Sequence, residues 1–492
     1  MRRWARAAAA AAPGALLLTA CTTGQGPEPD VRTGPEGALI DAPAEFLVED
    51  LPPGEEAVLW LHATDPQGRD WASWASFTSD EEGRVDPASQ APEAGTYDDA
   101  DAEGLLRSLR LPDGEPVRSP VPVPGEEPEL AYTFGVDVGG RTVAEEEFVR
   151  LLHAPGVRTE RTDDQGVVGD LYLPPRPGPH PGVLLLGGSE GGRASPPLAA
   201  LMASHGLAVL SIAYFGEEGV PETLESIPLE YTFDAVDLLS GHPDVSGEGI
   251  GVMGASKGGE LALLVGAHDR RVNAAVSVVG SSYVFHAPPG PTGAGAASGS
   301  WSLDGNDLPY LAPTQAMSLQ DTAPGFLGRP WRLDWSAENA VEQATPQERE
   351  AATIPTERID GPVLIISGAQ DALWPHWLAD EGEERRDAAG LPSERVVHPE
   401  AGHLIMGVPN LPSTYSTAAP LIPDIALMDL GGDPAANAEA VEDTFTRSVA
   451  FFKEALKEGS GEAPEGGPEP EPDEQAEEPT GDGTPGQEGE GT

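Results

Sequence analysis

The stretch Ile250-Gly251-Val252-Met253-Gly254-Ala255-Ser256-Lys257-Gly258-Gly259 decides how the rest of this chain is read. Its first four residues form a short apolar run, and its end opens into a helical segment, Gly258 to Ala267. A strand that turns sharply into a helix around G-x-S-x-G holds its serine in strained backbone geometry with the hydroxyl exposed. The glycines answer a steric need, because bulky neighbours of the serine would collide with adjoining strands. The helix N-terminus sets the Lys257 backbone N–H beside Ser256 Oγ, ready for the charge of a tetrahedral oxyanion. Ser256 is therefore the candidate nucleophile.

Working outward, the same apolar unit recurs as Gly182 to Leu186, Leu207 to Ala213, Ala274 to Val279 and Pro362 to Ser367. Uninterrupted apolar runs of this length mark strands covered on both faces. Helical stretches lie between them, including Pro196 to His205 and Leu229 to Ser240. The rhythm predicts an α/β domain with a mostly parallel, doubly wound sheet over residues 145–457, entered by a strand pair between Val149 and Leu173. Parallel order gathers the strand C-termini at one edge, where sites are built. A last helix, about 435–457, closes the domain. The segments 287–300 and 408–432 break the rhythm, and irregular lid or loop insertions are expected there.

A serine hydroxyl needs a base to take its proton. In nucleophile-elbow folds the acid and then the histidine follow in the chain. Asp371 stands directly after the apolar run Val363–Ile366, at a strand's C-terminal end, whereas Asp360 precedes that run and Asp380 falls in the next helix. His403 follows the short extended run Arg395 to Pro399; His398 sits at that run's own end, and His376 at a helix start. Asp371 is the expected acid and His403 the expected base. The second oxyanion donor is expected from Leu186-Gly187-Gly188-Ser189-Glu190-Gly191-Gly192, through the backbone N–H of Glu190, with Ser189 as the alternative. This loop lacks the G-x-G-x-x-G spacing of dinucleotide sites. The histidines and carboxylates form no H-E-x-x-H or similar cluster, so the chemistry calls for neither cofactor nor metal.

Residues 38–144 read differently, as short alternating runs punctuated by turn signals. Glu45 to Val48, Ala57 to Leu61, Trp71 to Phe77, Leu105 to Leu111 and Leu130 to Val138 predict an all-β, immunoglobulin-like sandwich. Residues 22–37 read as a flexible tether. Before it, a basic start, an Ala/Leu-rich run and Leu18-Thr19-Ala20-Cys21 make a lipoprotein signal over 1–21, with Cys21 as the lipid attachment point. An extracytoplasmic protein anchored to the membrane by lipid is expected. One Cys in 492 residues excludes an internal disulfide framework. The formal charge of −54, with three lysines, argues against nucleic-acid partners and polybasic membrane patches. Residues 458–492 form an acidic tail expected to be disordered.

Gly-Gly-Ser-Glu-Gly-Gly, Gly-Ala-Ser-Lys-Gly-Gly-Glu-Leu-Ala and Ser-Gly-Ala-Gln-Asp-Ala-Leu-Trp-Pro, preceded by a sandwich, resemble the acyl-CoA thioester hydrolase / bile acid-CoA:amino acid N-acyltransferase family. The resemblance spans about residues 38–457 and includes Trp74 to Phe77, Asp80, Gly83 to Asp86 and Gly95 to Tyr97. It implies an α/β-hydrolase with an N-terminal sandwich, and puts the family's nucleophile, acid and base on Ser256, Asp371 and His403. Relatives that conjugate amino acids use Cys as nucleophile, so Ser implies transfer to water. The expected function is cleavage of a small-molecule acyl thioester or ester. The alternatives are an oligopeptidase-type or other ester hydrolase, or a non-catalytic surface-binding lipoprotein. An oligopeptidase carries a propeller far larger than residues 38–144 allow.

Overall fold

Eight strands form the central sheet of the computed structural model, which describes residues 28–65, 68–111, 128–288, 298–313, 329–412, 417–422 and 426–457. In spatial order they are Arg158–Arg161, Gly169–Leu173, Ala208–Ile212, His180–Leu186, Val245–Ala255, Val272–Val278, Val363–Gly368 and Ser393–His398. Gly169–Leu173 pairs antiparallel with both of its neighbours, and the other pairings are parallel. This mixed sheet is that of an α/β-hydrolase. The expected signal segment 1–21 with Cys21 and the expected tail 458–492 lie outside the described residues.

The apolar runs are explained by burial on two sides. Leu184 and Leu186 belong to one core with Val252, Leu261 and Ile365. Val183 and Leu185 belong to the opposite core with Met253, Val276 and Ile366. Successive side chains of a strand point to opposite faces, so a strand covered on both has no polar position to spare. The helix Pro434–Ala455 covers the second face with Phe445, Val449 and Phe452. Fully burying a side chain of this size contributes roughly 1.5–3 kcal/mol.

Register then fixes the edge. Leu186 lies opposite both Ile212 and Gly254, Ala255 opposite Val278, Ile366 opposite Val278 and Val396, and Gly368 opposite His398. The strands therefore end level, and the loops after Leu186, Ala255, Gly368 and His398 emerge side by side.

Ahead of this sheet, Ala38–Leu39, Arg141–Leu151, Glu129–Val138, Glu56–Thr64, Asp70–Thr78 and Ala94–Gly95 make a six-stranded sheet. Glu56–Thr64 alternates in burial, with Ala57, Leu59 and Leu61 facing the core. The observed elements differ from the sequence expectations at several points. Arg141–Leu151 is one strand that runs across the expected 144/145 boundary, takes in Val149 and pairs with Glu129–Val138. The expected tether contains a strand, Asp30–Arg32, paired with Leu47–Glu49; Arg32 reaches Glu49 at 2.7 Å. Leu105 to Leu111 is not a strand, since Gly104–Arg107 forms a helical turn that buries Leu105 and Leu106. Within 408–432, Ala418–Ile422 and Ala426–Asp429 pair as a ribbon.

Both sheets lie in one compact unit that ends at Lys457. The buried Arg107 joins them: it reaches Asp101 in its own domain, and Asn410 and Glu442 in the second.

Candidate active site

Ser256 stands between the strand Val245–Ala255 and the helix Lys257–His268, with φ 55° and ψ −121°. A non-glycine residue held there stores on the order of 1–3 kcal/mol, which the surrounding packing must impose. The two motif glycines show how. A Cβ on Gly254 would lie 2.2 Å from the Gly258 carbonyl oxygen, and one on Gly258 would lie 2.2 Å from that of Gly187. The turn is thus pressed between its own helix and the loop of the neighbouring strand, and Ser256 N–H donates to the Val278 carbonyl at 2.9 Å. The side chain stays half-buried at the sheet edge.

Asp371 and His403 meet two strands away. The Asp371 Oδ2 accepts from His403 Nδ1 at 2.7 Å, with Asp371 5% and His403 7% exposed. Asp371 Oδ1 accepts from the Leu373 and Trp374 backbone N–H groups at 2.8 and 2.9 Å. A carboxylate filled in this way has one orientation, and it holds the imidazole with Nε2 as the free nitrogen. His403 N–H donates to the Leu430 carbonyl at 2.8 Å, and Gly402 N–H to Asn437 Oδ1 at 2.7 Å, which fixes the histidine loop on the last helix. The competitors fall elsewhere. His398 faces Asp443 at 3.4 Å, His376 starts a short 3-10 turn, Asp360 is exposed before its strand, and Asp380 heads the helix Asp380–Ala389.

The expected oxyanion loop borders the elbow, since a Cβ on Gly188 would lie 3.5 Å from Ser256 Cβ. Gly188 N–H donates to the Glu190 carboxylate at 2.9 Å, and the buried Tyr214 hydroxyl donates to the Gly187 carbonyl at 2.5 Å. The loop is held from both sides, with the Gly188 N–H occupied. Glu190 and Ser189 backbone N–H groups have no backbone acceptor among the described residues. Lys257 opens its helix, where a first-turn N–H has no partner within the helix.

Behind the elbow lies a feature the sequence reading did not single out. The Lys257 side chain is 4% exposed and that of Glu260 0%. Lys257 Nζ donates to both Glu260 oxygens at 3.1 and 3.2 Å and to the Phe285 carbonyl at 2.8 Å. Glu260 also accepts from Trp301 Nε1 at 2.5 Å and from Phe285 N–H at 3.3 Å. Burial pushes the Lys257 ammonium below the ordinary lysine range and the Glu260 carboxyl above the ordinary glutamate range, each opposed by its partner's charge. The only sequence signal was an i,i+3 charge pair on an otherwise apolar helix; Tyr214, Asn437 and Trp301 gave none.

The family model described as "Acyl-CoA thioester hydrolase/BAAT N-terminal region" matches residues 41–163. "BAAT / Acyl-CoA thioester hydrolase C terminal" matches 227–291 and 333–458. Human acyl-coenzyme A thioesterase 1 is 30% identical over 434 residues, covering 86% of this chain and 96% of that protein. Mouse acyl-coenzyme A amino acid N-acyltransferase 1 is 29% identical over 439 residues, covering 87% and 98%. Among solved structures, a puromycin-hydrolyzing peptidase of Mycobacterium tuberculosis is 15% identical with a TM-score of 0.39, covering 80% of this chain and 53% of that one. On the sequence matches across both halves, the chain belongs to the acyl-CoA thioester hydrolase / bile acid-CoA:amino acid N-acyltransferase family.

Proposed function

We propose that this chain is a serine hydrolase that cleaves small-molecule acyl thioesters, and esters of like shape, with water as the final acceptor. Ser256 Oγ attacks the acyl carbonyl while His403 Nε2 takes its proton, and Asp371 stabilises the imidazolium without itself becoming protonated. The Lys257 and Glu190 backbone N–H groups receive the oxyanion. His403 returns the proton to the departing thiolate; water then repeats the sequence on the acyl-enzyme. The observation that carries this reading is the buried Asp371–His403 pair at 2.7 Å, on the same sheet edge as the strained Ser256. The names of the matched relatives point to the same chemistry. The test is release of free thiol from a medium-chain acyl thioester, comparing wild type with Ser256→Ala and His403→Ala. Turnover by wild type with losses of about 10⁴ or more in each variant is expected, and the double variant should lose little more. Multiplying losses would contradict a shared mechanism.

Two finer readings belong with this proposal. The first domain is read as an immunoglobulin-like sandwich, with its six-stranded sheet as one layer. The chain is also read as lipid-anchored through Cys21 outside the cytoplasm, on the strength of residues 1–21 alone. No helix among the described residues is long and apolar enough to cross a membrane. Cys21→Ser should release the protein from the membrane fraction; retention would contradict the anchor.

A further inference from the structure

The Lys257–Glu260 pair is linked through aromatic side chains to the other parts of the proposed site. Lys257 Nζ lies 5.8 Å from the Trp301 ring centre and 5.7 Å from that of Trp374. Trp374 is the residue whose backbone N–H holds Asp371 Oδ1, and its ring lies 5.5 Å from that of Phe285. Trp301 lies 5.7 Å from the ring of Tyr214, whose hydroxyl grips the Gly187 carbonyl of the oxyanion loop. The ammonium therefore packs against Trp374 of the acid's loop, and against Trp301, which reaches the oxyanion loop through Tyr214. Its three donors are spent on Glu260 and Phe285, and two rings face it. No proton or substrate atom needs this side chain in the mechanism above.

A buried ion pair is weak as a stabilising device, because desolvation offsets most of the attraction, and apolar replacements are often neutral or stabilising. What such a pair does supply is direction, since a charge in a low-dielectric site tolerates few geometries. Lys257 is also the residue whose own backbone N–H is the proposed oxyanion donor. Fixing its side chain at three points fixes the first turn of the helix and the aim of that N–H.

We propose that the Lys257 side chain, locked by Glu260, is a positioning residue that holds the Lys257 N–H and the Asp371 loop in register with Ser256. This inference rests on the serine-hydrolase reading. Loss of the lock misaims one oxyanion donor and loosens the acid, while leaving the substrate's binding surface in place. Outright removal of one such donor reduces kcat by about 10²–10³. Misaiming it should cost less, roughly 10- to 100-fold in kcat, with KM changed less than about threefold.

The experiment uses the full chain carrying Lys257→Met with Glu260→Gln, and separately Glu260→Gln alone, which keeps shape and an acceptor for Trp301. Active sites are counted by fluorophosphonate titration, and kcat and KM are measured per titrated site on a neutral acyl thioester, beside the melting temperature. The expected result is a near-native melting temperature for the double variant, a 10- to 100-fold lower kcat, and a parallel fall in the rate of phosphonylation. Should the double variant not fold, the Glu260→Gln protein decides: a several-fold kcat loss per site supports the proposal, and native kcat overturns it. A kcat within twofold of wild type in the folded double variant, or an effect confined to KM, also overturns it. Wild type that neither turns over thioester nor takes the label would sink the hydrolase reading itself; active wild type matched by both variants sinks only this inference.

Discussion

Asp371→Asn is the substitution whose outcome the geometry specifies most closely. The carboxylate accepts two backbone N–H groups at Oδ1 and one imidazole N–H at Oδ2. An Asn in the same rotamer has one oxygen and one NH₂ to distribute. With its oxygen on Leu373 and Trp374, the NH₂ points at His403 Nδ1 and must donate, so the imidazole carries its proton on Nε2 and cannot accept one from Ser256. Flipping the amide restores the tautomer but sets NH₂ against two part-buried N–H donors, leaving both without their acceptor at up to about 1–3 kcal/mol each. A flip costing roughly 2–6 kcal/mol admits about one productive molecule in 30 to 3 × 10⁴, before the lost carboxylate charge is counted. The expected loss in kcat is therefore on the order of 10³–10⁴, with the melting temperature nearly retained because shape and two hydrogen bonds persist. Stopped-flow acylation by a p-nitrophenyl ester, beside a thermal melt, measures both. Acylation within tenfold of wild type in a folded Asp371→Asn protein would refute the argument and move the acid elsewhere.

Three further outcomes follow from packing and charge. Gly258→Ala forces a Cβ to within 2.2 Å of a neighbouring backbone oxygen, and should destabilise by the upper end of the roughly 1–3 kcal/mol of overpacking; urea unfolding as stable as wild type would contradict it. His286 is pushed down to about 4, first by burial and then by the Lys257 charge. The unfolded chain takes that proton near 6.5, so it binds more protons than the folded chain between those values, and stability falls as pH drops from about 6.5 to 4, by about 3 kcal/mol at most. His286→Phe should flatten that part of the profile relative to wild type, and an identical pH dependence would show that His286 is not its source. With a formal charge of −54, the protein repels CoA's phosphates, so kcat/KM on acyl-CoA should rise with salt while a neutral thioester of the same acyl chain stays level and is used at least as well. A preference for CoA at both low and moderate salt would reverse that expectation.

What the sequence disclosed and what it hid have physical reasons. The runs Gly182–Leu186, Ile250–Met253 and Val363–Ile366 were legible because burial on both faces leaves no polar break in them. The positions of Ser256, Asp371 and His403 just after the strands Val245–Ala255, Val363–Gly368 and Ser393–His398 were legible because a strand's end is a local feature of the chain. The extent of Arg141–Leu151 was hidden because most of its side chains are exposed or half-buried, so its alternation is weak. Leu105 and Leu106 misled because a short buried apolar run has no period long enough to separate strand from helical turn. Tyr214, Trp301 and Asn437 act on the site only through contacts across 26 to 41 residues of chain, and spacing carries no trace of such contacts. The N-terminal strand Asp30–Arg32 was hidden for a similar reason, since its partner Leu47–Glu49 supplies the apolar residues.

The central claim is that Ser256 is the nucleophile, and the most direct test is the site of covalent capture. Wild-type protein is treated with a fluorophosphonate, digested and mapped by mass spectrometry, with Ser256→Ala as the companion. The account predicts one stoichiometric adduct on the peptide bearing Ser256, and none in the Ala variant. An adduct on another serine, or a folded wild-type protein that takes no label, would contradict it.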